Sequence, residues 1–296
     1  MQPAGDALSP SSYSKQLPPE LPAKSWRNLK WPFALFFIGM HCGVIFAPWF
    51  FSWGALLTAV AINAVLGTIG TSLGYHRLLT HNSFTVPKWL EYVMATCGLL
   101  SLQGAPTTWV GMHRIHHARS DTERDPHNSK RGFWWSHMGW MFFHTQNAYR
   151  RYAPRFMREA RFYRFFDKSF LLQLALQLPL AAILFAVGGW TYVVWGVFVR
   201  IVLMWHCTFL VNSATHKWGY RNYDVKDDSK NTWWVALLTY GEGWHNNHHA
   251  QPRAAKFSRR LWEIDPSWWI LRLLKAVGLA KDVVVPPPLE KPQGSA

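Results

Sequence analysis

Residues 33–75 read FALFFIGMHCGVIFAPWFFSWGALLTAVAINAVLGTIGTSLGY and contain no charged side chain. Pro48 interrupts this run near its first third. An α-helix needs about 20 apolar residues to cross the hydrocarbon core of a bilayer. The run is therefore long enough for two spans, at about residues 33–51 and 52–75, joined by a tight turn. It predicts a helical hairpin in a membrane.

A second pair of apolar segments lies further along the chain, at residues 170–187 and 191–211, with Gly188 and Gly189 between them. Between the two pairs, residues 89–103 are also apolar, but this stretch is short and carries a glutamate. We expect it to dip into the membrane interface or to pack internally rather than to span. The sequence thus predicts an all-α membrane protein with four transmembrane helices in two hairpins.

The composition supports an apolar environment and excludes a nucleic-acid-binding protein. Of 296 residues, 49% are hydrophobic and 16% are charged, whereas charged residues make up about a quarter of a soluble domain. The net charge of +15 could suggest nucleic acid, but that function needs basic side chains interleaved with aromatic side chains on a polar scaffold. Here the aromatic residues crowd into long uncharged runs, so we expect membrane lipids as the partner.

The distribution of Lys and Arg predicts which side of the membrane each segment occupies. Nearly all of them lie outside the four spans, and cytoplasmic segments carry the excess of positive charge. We therefore expect both termini on the cytoplasmic side, together with a helical cap formed by residues 76–168 and 212–282. Residues 1–30 are rich in Ser, Pro and Gln and predict a disordered tail without a signal peptide. The membrane domain is then 31–282, followed by a Pro-rich tail at 283–296.

One basic run in the predicted cap has the pattern of a helix that lies on a lipid surface. Between Arg150 and Lys168, arginines alternate with Tyr, Phe and Met. Apolar side chains would enter the interface while the arginines contact anionic headgroups.

Eight of the 14 histidines fall into three clusters, which read H-x-x-x-x-H, H-x-x-H-H and H-x-x-H-H. Positions i, i+3 and i+4 of a helix share one face, so each H-x-x-H-H cluster aims at least two imidazoles at one point. All three clusters lie at cytoplasmic ends of predicted spans or in the cap, where they can converge. The residues are His76 and His81; His113, His116 and His117; and His245, His248 and His249.

The number of imidazoles indicates two metal ions, because a single zinc takes three or four protein ligands. The H-E-x-x-H motif of zinc proteases is absent. Glu242 and His245 give the E-x-x-H spacing of soluble di-iron carboxylate proteins only once, whereas those proteins need it twice. An imidazole-rich pair of irons facing a membrane would suit the activation of dioxygen against an unactivated C–H bond.

With their surroundings, these clusters resemble the integral-membrane fatty acyl desaturases, most closely the Δ9 (stearoyl-type) branch and its bacterial and cyanobacterial members. The resemblance extends from about residue 33 to residue 262. It rests on the order of the three His motifs and on four connecting motifs, which are Asp125-Pro-His-Asn128, Gly132-Phe-Trp-Trp-Ser-His-Met-Gly-Trp140, Asn212-Ser-Ala-Thr-His216-Lys-Trp-Gly and Gly241-Glu-Gly-Trp-His245.

The resemblance implies a catalytic site of two Fe²⁺ ions bound by nine histidines, with Asn212 reaching one ion through a water molecule. These ligands would be His76, His81, His113, His116, His117, His216, His245, His248 and His249. The family reaction uses O2, two electrons and two protons to remove two hydrogens from adjacent methylenes of a long saturated acyl chain, leaving a cis double bond. His127 and His137 would support the cap, and His41, His144 and His206 would pack within the protein or line the tunnel.

The resemblance also implies a narrow, bent tunnel that sets the position of the double bond, and Trp109 and Thr208 match positions at its kink. Arg200 falls within the predicted fourth span, where a charge is expensive. It either forms a polar wall of the substrate cavity or pairs with a carboxylate.

Several features of the chain bear on its substrate and electron donor. Acyl-CoA enzymes of animals carry charged residues immediately before the second His motif, whereas this chain has Val110, Gly111 and Met112. An acyl lipid is therefore favoured over acyl-CoA. No haem-binding His-Pro-Gly-Gly motif occurs, so the electrons must come from an external carrier, either ferredoxin or cytochrome b5. The basic cytoplasmic face suits an acidic ferredoxin.

Two other functions fit parts of the pattern. A di-iron membrane hydroxylase could use the same histidines and return a hydroxyl group to the carbon instead of removing a second hydrogen. A His-rich metal transporter or sensor would instead need polar groups inside the spans to pass an ion.

Overall fold

The computed structural model describes residues 25–143 and 146–289, with side chains described throughout except at 146–148. Most of the predicted tails, 1–30 and 283–296, and the predicted packing residue His144 lie outside these ranges. All longer elements in the described ranges are helices, and extended pairing there is limited to isolated bridges such as that between Thr85 and Lys281. The described part of the chain is therefore all-helical, as predicted.

Thirteen α-helices of very different lengths make up this part of the chain. Two π-helices continue α2 and α9, at Leu66–Thr80 and Val194–Val199, and the remaining elements are short 3₁₀ turns. The α-helices are α1 (Trp31–Ile45), α2 (Trp53–Val65), α3 (Lys88–Leu100), α4 (Pro106–Arg119), α5 (Phe133–His137), α6 (Arg155–Glu159), α7 (Arg161–Phe166), α8 (Phe170–Ala175), α9 (Gln177–Val193), α10 (Arg200–Ser213), α11 (Trp233–Leu238), α12 (His245–Ala250) and α13 (Pro266–Ala276).

Two continuous helical segments are long and apolar enough, by length and composition, to cross a membrane. They are Trp53–Thr80, with 28 residues, and Phe170–His216, with 47 residues, whereas α1 has only 15. Large apolar side chains on both segments point outward: Leu57 is 65% exposed and Leu178 is 69% exposed. So large an apolar surface is rarely left in water, and it indicates association with a membrane.

The 47-residue segment is two antiparallel helices rather than one rod. Its backbone leaves helical geometry at Gly188 and Gly189, and Gly189 has φ +64° and ψ −153°, a region that is nearly restricted to glycine. Arg200 Nη2 donates to Gln177 Oε1 at 2.9 Å. In a straight helix 23 positions would separate these residues by about 35 Å, so the chain reverses at the two glycines.

The first two apolar helices pack against this reversed pair. The Trp195 indole donates to the carbonyl of Ala47 at 3.3 Å, and the Tyr192 hydroxyl approaches Gly54 so closely that no side chain fits there. Ala47 and Gly54 flank the turn between α1 and α2, and Tyr192 and Trp195 closely follow the turn at Gly188 and Gly189. The turn between α1 and α2 therefore meets the turn at the glycines at the same end of the bundle.

The apolar stretch 89–103, for which interface dipping and internal packing were both open, packs internally along one face. Helix α3 lies so close to the π-helix that a Cβ on Gly70 would fall 2.3 Å from the backbone nitrogen of Gly98. Glu91 is buried and accepts a hydrogen bond from the Tyr163 hydroxyl at 2.6 Å. The charge in this stretch is thus held inside the protein.

The basic run from Arg150 to Lys168 is not one continuous surface helix, so that prediction was wrong. It forms the end of a 3₁₀ turn followed by α6 and α7, which are separated at Ala160. Met157 and Tyr163 are fully buried. Met157 and Tyr163 are six positions apart, so one straight helix would place them on different faces. The break at Ala160 allows both side chains to be buried.

Candidate metal centre

The nine predicted histidines converge into two adjacent groups. Within each group the ring nitrogens lie within 4.8 Å of one another. The first group contains five residues, His76, His81, His113, His117 and His248; the second contains four, His116, His216, His245 and His249. The sequence motifs thus meet in space, although they come from four separate parts of the chain.

Helical spacing explains how each motif serves both groups. On α4, His113 and His117 are four residues apart and enter the first group, while His116 points to the second. On α12, His248 enters the first group, and His245 and His249 enter the second. Residues i and i+4 share a face, whereas adjacent residues are rotated by about 100°. An H-x-x-H-H motif therefore supplies two neighbouring metal positions from a single helix.

The facing nitrogens in the first group are all Nε2 atoms. His248 Nε2 lies 2.9 Å from that of His76 and 2.8 Å from that of His117. His117 Nε2 lies 3.0 Å from that of His113. His81 Nε2 is buried without any hydrogen-bond partner. A buried polar atom without a partner lowers the stability of the fold unless a water molecule or an ion binds it.

The second group is built in the same way. Nε2 of His116 lies 3.3 Å from that of His249, and Nε2 of His245 lies 3.1 Å from that of His216. Imidazole nitrogen is a good ligand for iron, copper, zinc and nickel. The donor set of both groups therefore fits a pair of such ions, one held by each group.

Burial keeps most of these rings neutral, which is the form that binds a metal. It lowers the pKa values of His81, His113 and His248 well below the usual range, and the charges that neighbouring histidines would carry lower these pKa values further. The pKa of His116 shifts in the opposite direction. Burial also opposes its protonation, but the Asp125 carboxylate outweighs burial and raises the pKa of His116.

Four carboxylates hold the opposite ring nitrogen, Nδ1, of individual histidines. Nδ1–H donates from His116 to Asp125 at 3.0 Å, from His216 to Asp121 at 2.9 Å, and from His249 to Asp227 at 2.9 Å. His76 donates in the same way to Glu242. Such contacts fix the tautomer and the ring orientation of a metal ligand and make it more basic.

Three of these carboxylates back the second group and only one backs the first. We therefore name the four residues His116, His216, His245 and His249 the carboxylate-backed group. Sequence reasoning missed all four carboxylates as functional residues. Asp125 and Glu242 lie inside motifs that carried the resemblance, which was a usable signal. Asp121 and Asp227 had no comparable signal.

A cavity reaches the first group of histidines. Its walls include His76 and His113 but none of the carboxylate-backed histidines. We therefore name His76, His81, His113, His117 and His248 the cavity-side group. The rest of the lining comes mainly from the π-helix, α10 and the segment before α12, and it is largely apolar.

Three of the predicted substrate and water-bridging residues line this cavity, and one does not. Trp109, Thr208 and Asn212 are in its wall. The Trp109 ring stacks on that of His113, with centroids 5.0 Å apart. Arg200 is buried away from the cavity and contacts Gln177 and the carbonyls of Leu100 and Gly196. Among the residues that the structure describes, it has no carboxylate partner.

The remaining described histidines form separate contacts. His41, His206 and His137 make a hydrogen-bonded chain, with ring nitrogens 3.0 Å and 2.9 Å apart, which ends on the Ser213 hydroxyl. His127 instead packs against His116 and lies 3.6 Å from Asp125. His127 and His137 thus support the cap around the site rather than joining either group.

Comparison with known proteins places this geometry in a family. Residues 47–275 match the family described as fatty acid desaturase. The chain is 51% identical over 267 residues to the sn-2 palmitoyl-lipid 9-desaturase of Nostoc sp. (strain 36), covering 88% of this chain and 92% of that protein. It is 50% identical to the sn-1 stearoyl-lipid 9-desaturase of Anabaena variabilis, covering 86% and 94%.

A relative that acts on a different acyl carrier is more distant. The acyl-CoA C20 Delta5-desaturase of Anemone leveillei is 41% identical, covering 90% of this chain and 86% of that protein. The match to the family spans most of the chain and includes both histidine groups, the cavity and the two long apolar segments, Trp53–Thr80 and Phe170–His216. This chain belongs to the fatty acid desaturase family, and it is an oxidoreductase that introduces a double bond into a fatty acyl chain.

Proposed function

We propose that this desaturase holds two Fe²⁺ ions, one in each histidine group, and places a cis double bond at Δ9 of a long saturated acyl chain esterified to a lipid. The observation that carries the proposal is the largely apolar cavity whose walls include His76 and His113 of the cavity-side group. An acyl chain bound there would lie beside the metal-binding histidines.

The bound irons would supply the activation of O2, which amino-acid side chains alone do not perform. The nine histidines, with Asn212 through a water molecule, would hold the two ions. The reaction consumes O2, two electrons and two protons, and it takes one hydrogen from each of two adjacent methylenes.

The protein's own residues would hold the acyl chain in place. Methylenes offer no polar group to recognise, so the position of reaction has to be set by the depth to which the chain enters. Trp109 stacks on His113 and narrows the cavity beside the cavity-side group. The Thr208 hydroxyl donates to the carbonyl of Met204 at 3.0 Å, so it presents no free donor to the hydrocarbon.

The proposal includes four membrane spans in two hairpins, with the cap and both termini on the cytoplasmic side. The reversal at Gly188 and Gly189 supports it, since the 47-residue segment then contains two spans. The concentration of Lys and Arg outside the apolar helices supports the sidedness. We propose the domain limits 31–282 on the same grounds.

The choice of substrate rests on the relatives and on one motif. The two relatives near 50% identity are named as lipid 9-desaturases. Val110, Gly111 and Met112 provide no charge for a CoA phosphate before the second His motif. The electron donor would be an external protein, ferredoxin or cytochrome b5, and the basic cap suits an acidic donor such as ferredoxin.

Product analysis tests this function. The chain would be expressed in a host without a desaturase, and each lipid class would be analysed by mass spectrometry with location of the double bond. We expect glycerolipid acyl chains that have lost two hydrogens at carbons nine and ten. Chains that gain an oxygen would identify a hydroxylase, and host lipids that do not change would contradict both activities.

A further inference from the structure

The two histidine groups differ in the charge that surrounds them. Three of the four rings in the carboxylate-backed group donate to an aspartate. In the cavity-side group only His76 donates to a carboxylate, Glu242. Each group also has one ring whose Nδ1 is buried without a hydrogen-bond partner, His248 and His245. The difference concerns ring nitrogens that do not face the metal position.

Nearby cations increase this difference. The Arg77 guanidinium lies 3.3 Å from Glu242 and is shared with Asp265, so the one carboxylate behind the cavity-side group is partly neutralised. A second cation, Arg114, donates to the carbonyl of Thr80, next to His81. The cavity-side group thus has two arginines close to it.

The aspartates of the other group have no such partners. Asp121 accepts from the Ser129 hydroxyl and from the backbone of Asp228. Asp125 accepts from the backbone nitrogens of Asp121 and His127. In the described ranges, no Lys or Arg side chain forms an ion pair with Asp121, Asp125 or Asp227. Their negative charge is available to a cation bound by the adjacent histidines.

We propose that the carboxylate-backed group binds its iron ion more tightly than the cavity-side group, with Asp121, Asp125 and Asp227 as positioning residues. The proposal rests on the proposed di-iron function and extends it. One ion is resident and the other is exchangeable, and the exchangeable ion lies next to the acyl chain.

Ligand number alone predicts the opposite order, because the cavity-side group has five histidines and the other has four. A fifth imidazole is neutral and leaves the charge of the site unchanged. Loss of a single outer carboxylate typically weakens metal binding by about 10-fold to 100-fold, and three aspartates act on one group. We therefore expect the three aspartates to raise the affinity for iron more than the fifth histidine does.

Chelation of the iron-loaded, full-length protein in detergent tests the proposal. The protein would be loaded anaerobically with ⁵⁷Fe²⁺ and exposed to excess chelator, and the remaining iron would be counted by mass spectrometry. We expect two phases of about one ion each, with the second phase at least about 10-fold slower. Mössbauer spectra at the plateau should retain only one of the two starting iron signals.

Replacing a carboxylate by the matching amide shows which histidine group releases its ion in the slow phase. Asp125→Asn and Asp227→Asn should each accelerate the slow phase by about 10-fold to 100-fold and change the retained Mössbauer signal. Glu242→Gln should leave the slow phase and its signal unchanged, because it acts on the other group. If Asp125→Asn does not fold, Asp227→Asn alone tests the assignment. The Asp227 side chain is 16% exposed, so we expect its replacement to disturb folding less.

The outcomes separate this inference from the function on which it rests. A protein that loads no iron would contradict both. A protein that loads two ions and releases them together, or whose slow phase responds to Glu242→Gln instead, would overturn the asymmetry and leave the di-iron desaturase intact.

Discussion

The cavity-side and carboxylate-backed groups place the same side chain in different surroundings. His76 and His113 of the cavity-side group line the cavity, and one carboxylate, Glu242, lies behind this group. None of the carboxylate-backed rings lines that cavity, and three of them each donate to an aspartate. Under the proposed function, one end of the metal pair would meet the substrate and the other would hold its ion. This difference leads to four predictions.

The largest effect should come from removing one ligand from the cavity-side group. We expect His113→Ala or His248→Ala to abolish turnover, because the iron next to the acyl chain would lose a ligand. The measurement is unsaturated product in the desaturase-free host, with protein in the membrane fraction as a check on insertion. The control is His137→Asn, which alters a buried histidine outside both groups. Substantial product from either alanine variant would remove that residue from the ligand set.

Glu242→Gln should produce a smaller loss in the same group. Without the carboxylate, His76 keeps a hydrogen-bond partner but loses the charge that makes it a stronger ligand, so we expect turnover to fall by about 10-fold to 100-fold. Glu91→Gln is the matched control, since Glu91 is also buried but contacts Tyr163 and Lys88 instead of a histidine. Equal losses in the two variants would show a general effect on folding.

A substitution in the cavity wall should change which acyl chains the protein accepts and leave both histidine groups intact. Thr208 lines the cavity, so Thr208→Trp should block the deep end and shorten or exclude the accepted acyl chain. Leu203→Trp on the same helix is the control, because Leu203 points away from the protein interior and is 41% exposed. The readout is the chain-length profile of unsaturated products at equal protein level. An unchanged profile would exclude Thr208 from the part that holds the chain.

The smallest effect concerns the pH dependence of the metal-free protein. Burial, followed by the charge of His206, lowers the pKa of His137 to about 4, below its ordinary value near 6.5. Between these two values the unfolded chain binds a proton that the folded chain does not, so stability falls as the pH decreases through this window. Burial lowers the pKa values of His81, His113 and His248 as well.

Thermal unfolding of metal-free protein at several pH values measures this effect. We expect the midpoint temperature to fall steadily below about pH 6.5. His137→Asn should reduce the slope. Bound iron should oppose the loss at mildly acidic pH, because a ligand bound to metal cannot take up a proton. A midpoint that rises on acidification would contradict the pKa direction.

Much of the fold could be predicted from local patterns. The reversal of the chain follows from Gly188 and Gly189 between two apolar segments, since glycine alone readily adopts the backbone angles of Gly189. The single surface helix predicted from Arg150 to Lys168 was wrong because its pattern reflects only neighbouring residues. Met157 and Tyr163 are buried by residues distant in sequence, which the local pattern does not include.

The candidate site divides in the same way. The nine histidines could be proposed from their spacing and from the resemblance, because helical geometry places i, i+3 and i+4 on one face. The pairing of each carboxylate with its histidine could not be predicted. Asp121 lies 95 residues from His216 and Glu242 lies 166 residues from His76. No local pattern links such partners.

Local patterns are enough to predict three features: the apolar helices, the turn at the glycines and the types of side chain at the candidate metal centre. These features depend on the hydrophobicity, backbone freedom and spacing of neighbouring residues. Tertiary packing was needed to show which histidines lie in the same group, which carboxylates lie behind them, and that Arg200 pairs with Gln177 and does not line the cavity. Those outcomes depend on distances between residues far apart in the chain, which packing alone establishes.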